Sequence, residues 1–436
     1  MKRHLLRYSL RHSLGGWAWL LAQPSRMATF SLAAGFLGLG LAGNASAQNI
    51  TGQAKEQGEA TPAQAAQGSQ EGATGGLSVT HSYYGLTSNR ERVERWVLTN
   101  HNGMQVSFIS YGGIITEINV ADKNGKPDNV VLGFGNLDGY TKDSAKGGLY
   151  FGALIGRYAN RIAKGTFSLD HHTYHLAITA PPNSMHGGIH GFDKRVWHVK
   201  ALPVAEHSVG AELTMESHDG DQGYPGNLKV AVTYTLDDQN TLSLHYKATT
   251  DKPTVLNLTN HSYFNLGGQG SGSIADEVLQ INASHYTPTD QYAIPTGEIA
   301  PVEGTVFDFR KPMVIGTHLR DDVPQIMYAR GYDHNWVIDG EYGKAPRLAA
   351  RIEDPKTGRF MEVLTSQPGL QVYTSNSLDG TYAGAAHKAF RQTDAVAFEA
   401  EHFPDSPNHP KFPSTELRPG QVFDYTTQYH FGVNKN

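Results

Sequence analysis

The chain has 436 residues, of which 39% are apolar and 10% are aromatic, enough for a substantial core. It contains no cysteine, which excludes disulfides, iron–sulfur clusters, thiolate zinc sites and cysteine nucleophiles. The formal net charge is −5 at pH 7, and the sequence lacks the basic footprint that a nucleic-acid-binding protein requires.

The first 47 residues predict a secretory signal peptide. They contain five Lys or Arg residues and no acid, and an apolar run of 13, residues 30–42, precedes Ala45, Ser46 and Ala47. This order of a positive region, an apolar region and small residues is typical of export signals. A run of 13 is also short against the roughly 20 residues that span a bilayer. We therefore expect cleavage after Ala47, a periplasmic or secreted bacterial protein, and no membrane association afterwards.

Residues 48–77 predict a flexible linker. Ile50 and Leu77 are the only large apolar residues in this stretch, where Gln, Ala and Gly dominate. Such a composition buries too little surface to offset the entropy lost on ordering. We expect a tether between the export signal and the folded domain.

Residues 78–434 predict one all-β domain. Short β-patterned runs are separated by Gly, Pro, Asn and Asp at intervals of roughly ten residues, a spacing typical of a β-sandwich or barrel. The runs RWVLTN and MQVSFIS flank Asn102-Gly103, which is a favoured hairpin turn. Helical periodicity is nearly absent, and residues 147–155 are the only ambiguous stretch.

The first half of residues 255–266, VLNLTNHSYFNL, predicts a strand with polar groups on one face. Alternation points Leu256 and Leu258 one way, and Asn257 and His261 the other. With the aromatic residues that follow, the polar face suits a wet groove. An ordinary solvent-facing sheet surface is the alternative.

Two further polar clusters come earlier in the chain. GRYANRI places Arg157 and Arg161 around Asn160, and the Gly-rich loop NSMHGGIHGF contains His186. Taken alone, such arginines are surface charges or ion-pair partners, and such a loop is an ordinary turn. Glycines in the loop equally permit close approach of a ligand, although the spacing is not that of a phosphate-binding loop.

Later strands add carboxylates and an amide. Asp333 alternates with core-type residues in YDHNWVI, and Gln371 lies in GLQVYTSN. In AVAFEAEHFP, Phe398 and its i±2 neighbours suit the core, whereas Glu399 and Glu401 face the other side beside small alanines. That face leaves room for a ligand; an edge strand with solvated acids is the alternative.

Together these clusters favour a sugar site. They supply imidazole, guanidinium, carboxyl, amide and aromatic side chains, with no metal or cofactor motif. Amides and charged groups suit sugar hydroxyls, and aromatic faces suit the C–H surface of the ring. A histidine with a glutamate also provides an acid and a base, whose ordinary pKa values of about 6.5 and 4.3 bracket a usable window.

The set of motifs resembles the aldose 1-epimerases (galactose mutarotases) over residues 78–433. The matching segments are GRYANRIAKGTFSLD, NSMHGGIHGFDKRVW, DGDQGYPG, NLTNHSYFNL, YDHNWVI, GLQVYTSN and FEAEHFPDSPNHPKFP. This resemblance implies a large antiparallel β-supersandwich with an open sugar cleft, and neither a metal nor a cofactor. It further implies interconversion of the α and β anomers of a free aldohexose such as D-glucose or D-galactose.

The resemblance also implies roles for individual residues. By motif position, Glu399 is similar to the base that takes the proton of the C1 hydroxyl, and His261 to the acid that protonates the ring oxygen. The ring then opens, the C1–C2 bond rotates, and closure gives the other anomer; a paired acid and base would relieve both developing charges. The positions similar to sugar-binding residues of the family are Arg161, Asn160, His186, Asp333 and Gln371.

Glu401 departs from the family pattern, in which Gln often stands two residues beyond the catalytic glutamate. A second acid on the same strand face would either raise the pKa of Glu399 by like-charge repulsion or change the substrate preference. The sequence leaves both readings open.

Two other functions remain open. A non-catalytic sugar-binding protein on the same fold would need no acid–base pair. A glycosidase would use Asp333 and Glu399 as its two carboxylates. The preferred sugar and the oligomeric state do not follow from the sequence.

Overall fold

Antiparallel β-strands form nearly all of the regular structure in the computed structural model, which describes residues 69–74 and 76–434. The predicted signal peptide, residues 1–47, and most of the predicted linker, residues 48–77, lie outside these ranges. Among the described residues, no helix has both the length and the apolar character needed to cross a membrane.

The strands of the described chain are numbered from its N-terminal end. The first sixteen are β1 (Ser69–Thr74), β2 (Leu77–Leu86), β3 (Arg92–Thr99), β4 (Gln105–Ile109), β5 (Ile115–Ala121), β6 (Pro127–Asn129), β7 (Leu154–Ile155), β8 (Arg161–Ile162), β9 (Thr166–Leu169), β10 (His172–His175), β11 (Ser184–Met185), β12 (His198–Ala201), β13 (Ser208–Ser217), β14 (Leu228–Asp237), β15 (Thr241–Thr250) and β16 (Thr254–Val255). The remaining fifteen are β17 (Thr259–Asn260), β18 (Tyr263–Phe264), β19 (Val278–Ile281), β20 (His285–Thr287), β21 (Ala300–Pro301), β22 (Met313–Val314), β23 (Asp333–Val337), β24 (Arg347–Glu353), β25 (Arg359–Thr365), β26 (Gly369–Tyr373), β27 (Asp379–Ala383), β28 (Ala389–Arg391), β29 (Val396–Glu401), β30 (Glu416–Leu417) and β31 (Phe423–Val433).

Helices are few and short in the part of the chain that the structure describes. A π-helical turn (Gly139–Ser144) leads into α1 (Ala145–Gly147), and α2 spans Pro324–Ala329. Single 3₁₀ turns occupy Ala163–Gly165, Phe192–Lys194, Asp221–Gly223, Ile274–Asp276, Ile315–Thr317 and Ser406–Asn408. The stretch 147–155, ambiguous from the sequence, therefore holds only the end of α1 and the short β7.

Three sheets of six or more strands build the described fold. Strands β1 to β6 form one sheet in chain order, and the largest sheet has the order β12-β13-β14-β15-β31-β25-β24-β19-β22. A second six-stranded sheet, with the order β18-β29-β26-β23-β20-β21, carries the acidic residues singled out above. The predicted hairpin at Asn102-Gly103 is confirmed, because β3 and β4 pair antiparallel and Gly103 adopts a φ of +80°.

The core follows from the period-2 pattern of the long strands. In β14, burial alternates strictly, so that Leu228, Val232 and Leu236 are buried while the residues between the buried positions are partly or fully exposed. Full burial of such a side chain is worth roughly 1.5–3 kcal/mol, and a one-residue slip would turn it to the other face. One continuous apolar cluster takes in residues from Leu77 to Phe431.

The stretch 255–266 holds no continuous strand, and the single strand predicted for its first half is wrong because that half is divided between two short strands. It forms β16, β17 and β18, which pair with β30, β7 and β29 respectively. Two buried amides in this stretch also hydrogen-bond to backbone groups through their side chains. Asn257 donates from Nδ2 to the carbonyl of His402 and accepts the His402 N–H, and Asn260 donates to the carbonyl of Gly152 and accepts the N–H of Ser262.

The end of the predicted linker also differs from expectation. Residues Ser69–Thr74 form β1, which pairs antiparallel with β2. Strand pairing uses backbone N–H and C=O groups and does not require large apolar side chains. Composition alone therefore gave no signal for this strand.

Candidate active site

One cleft gathers most of the polar residues singled out in the sequence. Its volume of about 540 Å³ is in the range of small-molecule sites. Six of the seven predicted site residues line it: Asn160, Arg161, His186, His261, Asp333 and Glu399. The seventh, Gln371, is buried and donates from Nε2 to Oδ1 of Asp333 at 2.7 Å.

Three neighbouring strands, β29, β26 and β23, present the acidic side of the cleft. Glu399 lies opposite Gln371, which in turn lies opposite Asn335, two residues beyond Asp333. Because opposed residues and i, i+2 residues share a face, these side chains point to the same side. Phe398 and its neighbours at i±2 belong to the core cluster, as the alternation predicted.

His261 reaches the cleft from the segment between β17 and β18. Its N–H donates to the carbonyl of Ala153 and its carbonyl accepts the N–H of Gly152, both at 2.9 Å. The next strand, β18, pairs with β29 and sets Tyr263 opposite Ala397. These contacts pin the backbone of His261 beside the strand that carries Glu399.

The imidazole of His261 contacts the carboxyl of Glu399. Nε2 lies 3.5 Å from Oε1, and the side chains are only 5% and 3% exposed. Burial lowers the pKa of His261 to about 4. Burial, and after it the charge of Glu401, raises the pKa of Glu399 well above its ordinary value. Repulsion by Glu401 thus has the sign expected from the sequence but is secondary to desolvation.

These opposite pKa shifts bear on which group of the pair holds a proton. Burial favours the uncharged form of both groups, in which Glu399 holds the proton and His261 does not. The alternative arrangement, carboxylate beside imidazolium, contains the same number of protons. Such a pair accepts a proton at one atom of a ligand and delivers one at another without exchange with solvent.

His186 is held by reciprocal bonds with Asn160. The N–H of His186 donates to the carbonyl of Asn160 at 3.0 Å, and the N–H of Asn160 donates to Nδ1 of His186 at 3.1 Å. A ring nitrogen that accepts cannot carry the proton, so the neutral imidazole has its N–H at Nε2. Burial, followed by the nearby charges of His261, Arg161 and Lys194, lowers the pKa of His186 well below its ordinary value. His186 therefore offers a neutral hydrogen-bond donor.

Asp333 is held from two sides at the cleft. Besides the bond from Gln371, Nη1 of Arg161 lies 3.6 Å from Oδ2. The side chains of Arg161 and Asp333 are 19% and 16% exposed, so both reach the cleft surface. A carboxylate oriented in this way keeps lone pairs for hydroxyl donors, and the guanidinium supplies donors beside it.

Arg157, the second arginine of GRYANRI, does not line the cleft. The residue is 2% exposed, and its guanidinium donates to the carbonyls of Ser217, His218, Pro225 and Gly226 at 2.7 Å. Two of these acceptors directly precede the DGDQGYPG turn and two are its last residues, so Arg157 connects that turn to the segment that carries Arg161. The buried hydrogen bonds of Arg157 fit a structural role. The position of Arg161 in the cleft fits a role in ligand binding.

Three tyrosine rings surround His261. Tyr263 stacks on it at a centroid distance of 4.8 Å, Tyr150 stacks at 5.9 Å, and Tyr373 lies edge-on at 6.4 Å. Tyr150 is not among the predicted site residues because it belongs to the ambiguous stretch 147–155. Lys194, whose Nζ lies 5.2 Å from the centre of the Tyr150 ring, is also missing from the prediction. Its only signal is its place in the motif NSMHGGIHGFDKRVW.

Three residues of the cleft lie close enough together to be considered as ligands of a metal ion. His186, His261 and Glu399 each offer one ligand atom, and these atoms lie within 4.8 Å of one another. Metal binding needs a free lone pair on each imidazole. On His186, Nδ1 already accepts the N–H of Asn160, and Nε2 then carries the proton. The hydrogen bonding of His186 therefore suits a ligand with hydroxyl groups better than a cation.

Comparisons with known proteins agree on one family. The family model described as Aldose 1-epimerase matches residues 94–430. Human galactose mutarotase is 45% identical over 357 residues, covering 82% of this chain and 99% of that protein. The aldose 1-epimerase of Escherichia coli K12 is 36% identical over 336 residues, covering 77% of this chain and 94% of that protein.

Solved structures give the same result for the fold. A galactose 1-epimerase from Lactobacillus acidophilus NCFM superposes with a TM-score of 0.72 at 30% identity, covering 82% of this chain and 99% of that one. An aldose epimerase homologue from C. elegans gives a TM-score of 0.67 at 29% identity, covering 77% of this chain and 97% of that one. The predicted antiparallel β-supersandwich is thereby confirmed.

Proposed function

The chain belongs to the aldose 1-epimerase family and is a mutarotase, an enzyme that interconverts the anomers of aldoses, and on this premise we propose that Glu399 and His261 carry its two proton transfers. The observation that carries the proposal is the 3.5 Å separation of His261 Nε2 and Glu399 Oε1 in the cleft. Anomer exchange needs a base at the C1 hydroxyl and an acid at the ring oxygen, and this pair supplies both.

The reaction balances within the pair and the sugar. The Glu399 carboxylate takes the proton of the C1 hydroxyl while protonated His261 gives its proton to the ring oxygen. The C1–ring oxygen bond breaks and an open-chain aldehyde forms. Rotation about C1–C2 followed by the reverse transfers closes the ring on the other face, and no atom is gained or lost.

The protonation state that burial favours for the pair is the one that the pair has at the open-chain stage of this cycle. After ring opening, Glu399 holds a proton and His261 is neutral, which is the state that desolvation favours for both groups. The ring-closed sugar meets the same pair with the proton on the imidazole. The two states differ by proton transfers only, so no charge has to enter the cleft from solvent.

Five neighbouring residues are proposed to bind the sugar hydroxyls. Arg161 and His186 present donors, Asp333 presents acceptors, and Gln371 and Asn160 orient them. The tyrosine rings around His261 cover the C–H surface. The proposed substrates are free aldohexoses, D-galactose and D-glucose in particular, for which a cleft of about 540 Å³ has room.

The remaining alternatives make different demands on the same site. A non-catalytic sugar-binding protein, which no comparison favours, would not need the His261–Glu399 contact. A glycosidase would use Asp333 as a second carboxyl, yet Asp333 is bonded by Gln371 and lies beside Arg161, an arrangement that suits binding. Release of reducing sugar from glycosides would support the glycosidase, and its absence would remove it.

Polarimetry on freshly dissolved α-D-galactose or α-D-glucose tests the assignment. Glu399→Gln and His261→Asn are each expected to lower kcat by about 10²–10⁴, the range of a lost general acid or base. A Glu399→Gln protein that keeps most of the wild-type rate would remove the proposed base. Circular dichroism of each variant checks that the fold is retained.

Export is a separate proposal that rests on the first 47 residues. The chain is proposed to be a periplasmic or secreted bacterial protein whose mature N-terminus is Gln48. Expression of the full chain in a bacterium, followed by fractionation and N-terminal sequencing, tests this. Cytoplasmic protein that retains residues 1–47 would contradict it.

A further inference from the structure

We propose that Glu401 is a positioning residue of the sugar cleft: its buried carboxyl fixes the Asn160 amide and, through the Asn160 backbone, the His186 imidazole, and it adds an acidic group beside Glu399. The inference rests on the proposed function, because its readouts are sugar affinity and the pH dependence of anomer exchange. Glu401 is not among the residues that line the cleft and is not expected to touch the sugar.

The first observation is a fully buried carboxyl with one bond. Glu401 is 0% exposed, and its Oε1 accepts a hydrogen bond from Nδ2 of Asn160 at 2.9 Å. Its other oxygen, Oε2, has no hydrogen-bond partner among the described residues. Burying a carboxyl in this way destabilises the fold relative to an apolar side chain of similar size. Its position is therefore better explained by the cleft than by stability.

The second observation concerns the orientation of the Asn160 amide. Its Oδ1 accepts the backbone N–H of Arg161 at 3.0 Å while its Nδ2 donates to Glu401. A flipped amide would set Nδ2 against the Arg161 N–H and would remove the N–H that Oε1 of Glu401 accepts. The acceptor on Glu401 thus selects one of the two orientations at the cleft wall.

Asn160 in turn holds the imidazole of His186. The N–H of Asn160 donates to Nδ1 of His186, which places the imidazole proton at Nε2. Asn160 and His186 adopt φ angles of +64° and +50°, a region that is uncommon for residues other than glycine although Asn and His enter it more readily than most. Loss of the Glu401 anchor therefore loosens both the amide and the imidazole.

The charge of Glu401 also affects the acid–base pair. The ionisable groups that act on or are influenced by Glu401 are Glu399, Asp333, Arg161 and Tyr158. Burial raises the pKa of Glu401 to about 8, against the lowering effect of the Asn160 bond. Above that pH, the ionised Glu401 opposes loss of the proton that Glu399 and His261 share. Removing the charge is expected to let the pair lose its proton at lower pH.

Two substitutions separate the bond from the charge. Glu401→Gln keeps an acceptor for Asn160 and removes the charge, whereas Glu401→Leu removes both at similar volume. Glu277→Gln is the matched control, since Glu277 is a buried glutamate that does not line the cleft. KM and kcat are measured for D-galactose from pH 5 to 10 by polarimetry, with the spontaneous rate subtracted.

The expected results differ between the two variants. Glu401→Leu raises KM about ten-fold, equivalent to one lost hydrogen-bonding arrangement of about 1.4 kcal/mol, and changes kcat less. Glu401→Gln keeps KM within about three-fold, and its alkaline limb moves to lower pH by about half a unit or more. Glu277→Gln reproduces the wild-type KM and pH profile.

Either of two results would overturn the proposal: a wild-type KM in Glu401→Leu, or an unchanged alkaline limb in Glu401→Gln. If Glu401→Leu does not fold, Glu401→Met takes its place in the KM measurement, and the Glu401→Gln pH profile decides by itself.

Failure of the proposed function is distinguishable, since it appears as full activity of Glu399→Gln. An enzyme that depends on Glu399 but is indifferent to position 401 rejects this inference alone.

Discussion

The imidazole of His261 lies 3.5 Å from the carboxyl of Glu399, and both side chains are almost fully buried. Neither group would hold a charge easily in this environment if it stood alone. If this contact is the proposed acid–base pair, the pH dependence of the reaction should report its titration.

The acid limb of the pH profile should lie well below the ordinary pKa of histidine. Burial lowers the pKa of His261 to about 4, so His261 takes up a proton from solvent only near that pH. Below that pH, His261 gains a proton while Glu399 still holds one, and no base remains. We expect kcat/KM to be constant between pH 7 and 5 and to fall through about pH 4. Polarimetry measures this, with circular dichroism at each pH; a midpoint near 6.5 would contradict it.

Asp333→Asn should weaken sugar binding more than it slows turnover. The amide can still accept from Gln371 but loses the charge that faces Arg161 and that is proposed to bind the sugar hydroxyls. A lost charge-assisted bond of about 1.5–3 kcal/mol corresponds to a rise in KM of roughly 10- to 150-fold. Asp424→Asn, at a half-exposed acid on the nine-stranded sheet, should leave KM unchanged. A fall in kcat at constant KM would instead place Asp333 in the chemistry.

Substitution of Arg157 should mainly lower the free energy of unfolding, whereas substitution of Arg161, four residues later, should mainly raise KM. Arg157→Met removes the donors of several buried carbonyls, each of which then costs about 1–3 kcal/mol. The free energy of unfolding should fall by about 3 kcal/mol or more. Arg161→Met removes a partly exposed ion pair worth about 1 kcal/mol or less, and should raise KM about ten-fold.

Urea unfolding and steady-state kinetics distinguish the two arginine variants. Each serves as the control for the other, because the residue type and the replacement are the same. A stability loss in Arg161→Met equal to that in Arg157→Met would show that Arg161 also acts as a structural tie.

Strand faces could be predicted from the sequence because the period-2 pattern is local. The alternation around Phe398 and Glu399 put the right residues in the core and the right carboxyl in the cleft. The same pattern misled at 255–266, where Asn257 and Asn260 alternate as strand residues would. Their side chains bond to the backbone of distant segments, and a pattern of polarity does not reveal that.

Contacts between distant strands could not be derived from polarity alone. The pairing of β18 with β29 brings His261 to Glu399, and from the sequence this proximity came only from the family resemblance. Tyr150 escaped prediction for a similar reason. Its φ of +55° and its stacking on His261 depend on how a short irregular segment packs, not on a repeating pattern.

Glu277→Gln should stabilise the protein at alkaline pH and not at pH 5. Glu277 is buried, its Oε1 accepts the N–H of Leu266 at 2.9 Å, and Oε2 has no hydrogen-bond partner in the described part of the chain. Burial, and after it the charge of Asp354, raises its pKa from 4.5 to about 8. The folded state therefore binds this proton more tightly than the unfolded state, and the stability that protonation contributes is lost as the pH rises through about 8. Gln mimics the protonated form at every pH and keeps the acceptor for Leu266.

Thermal unfolding should show the variant melting about 2 °C or more above the wild type at pH 9 and close to it at pH 5. The control variant Glu416→Gln, at an exposed position, should show no such pH dependence. A melting difference that is the same at both pH values would mean that Glu277 does not titrate with the raised pKa.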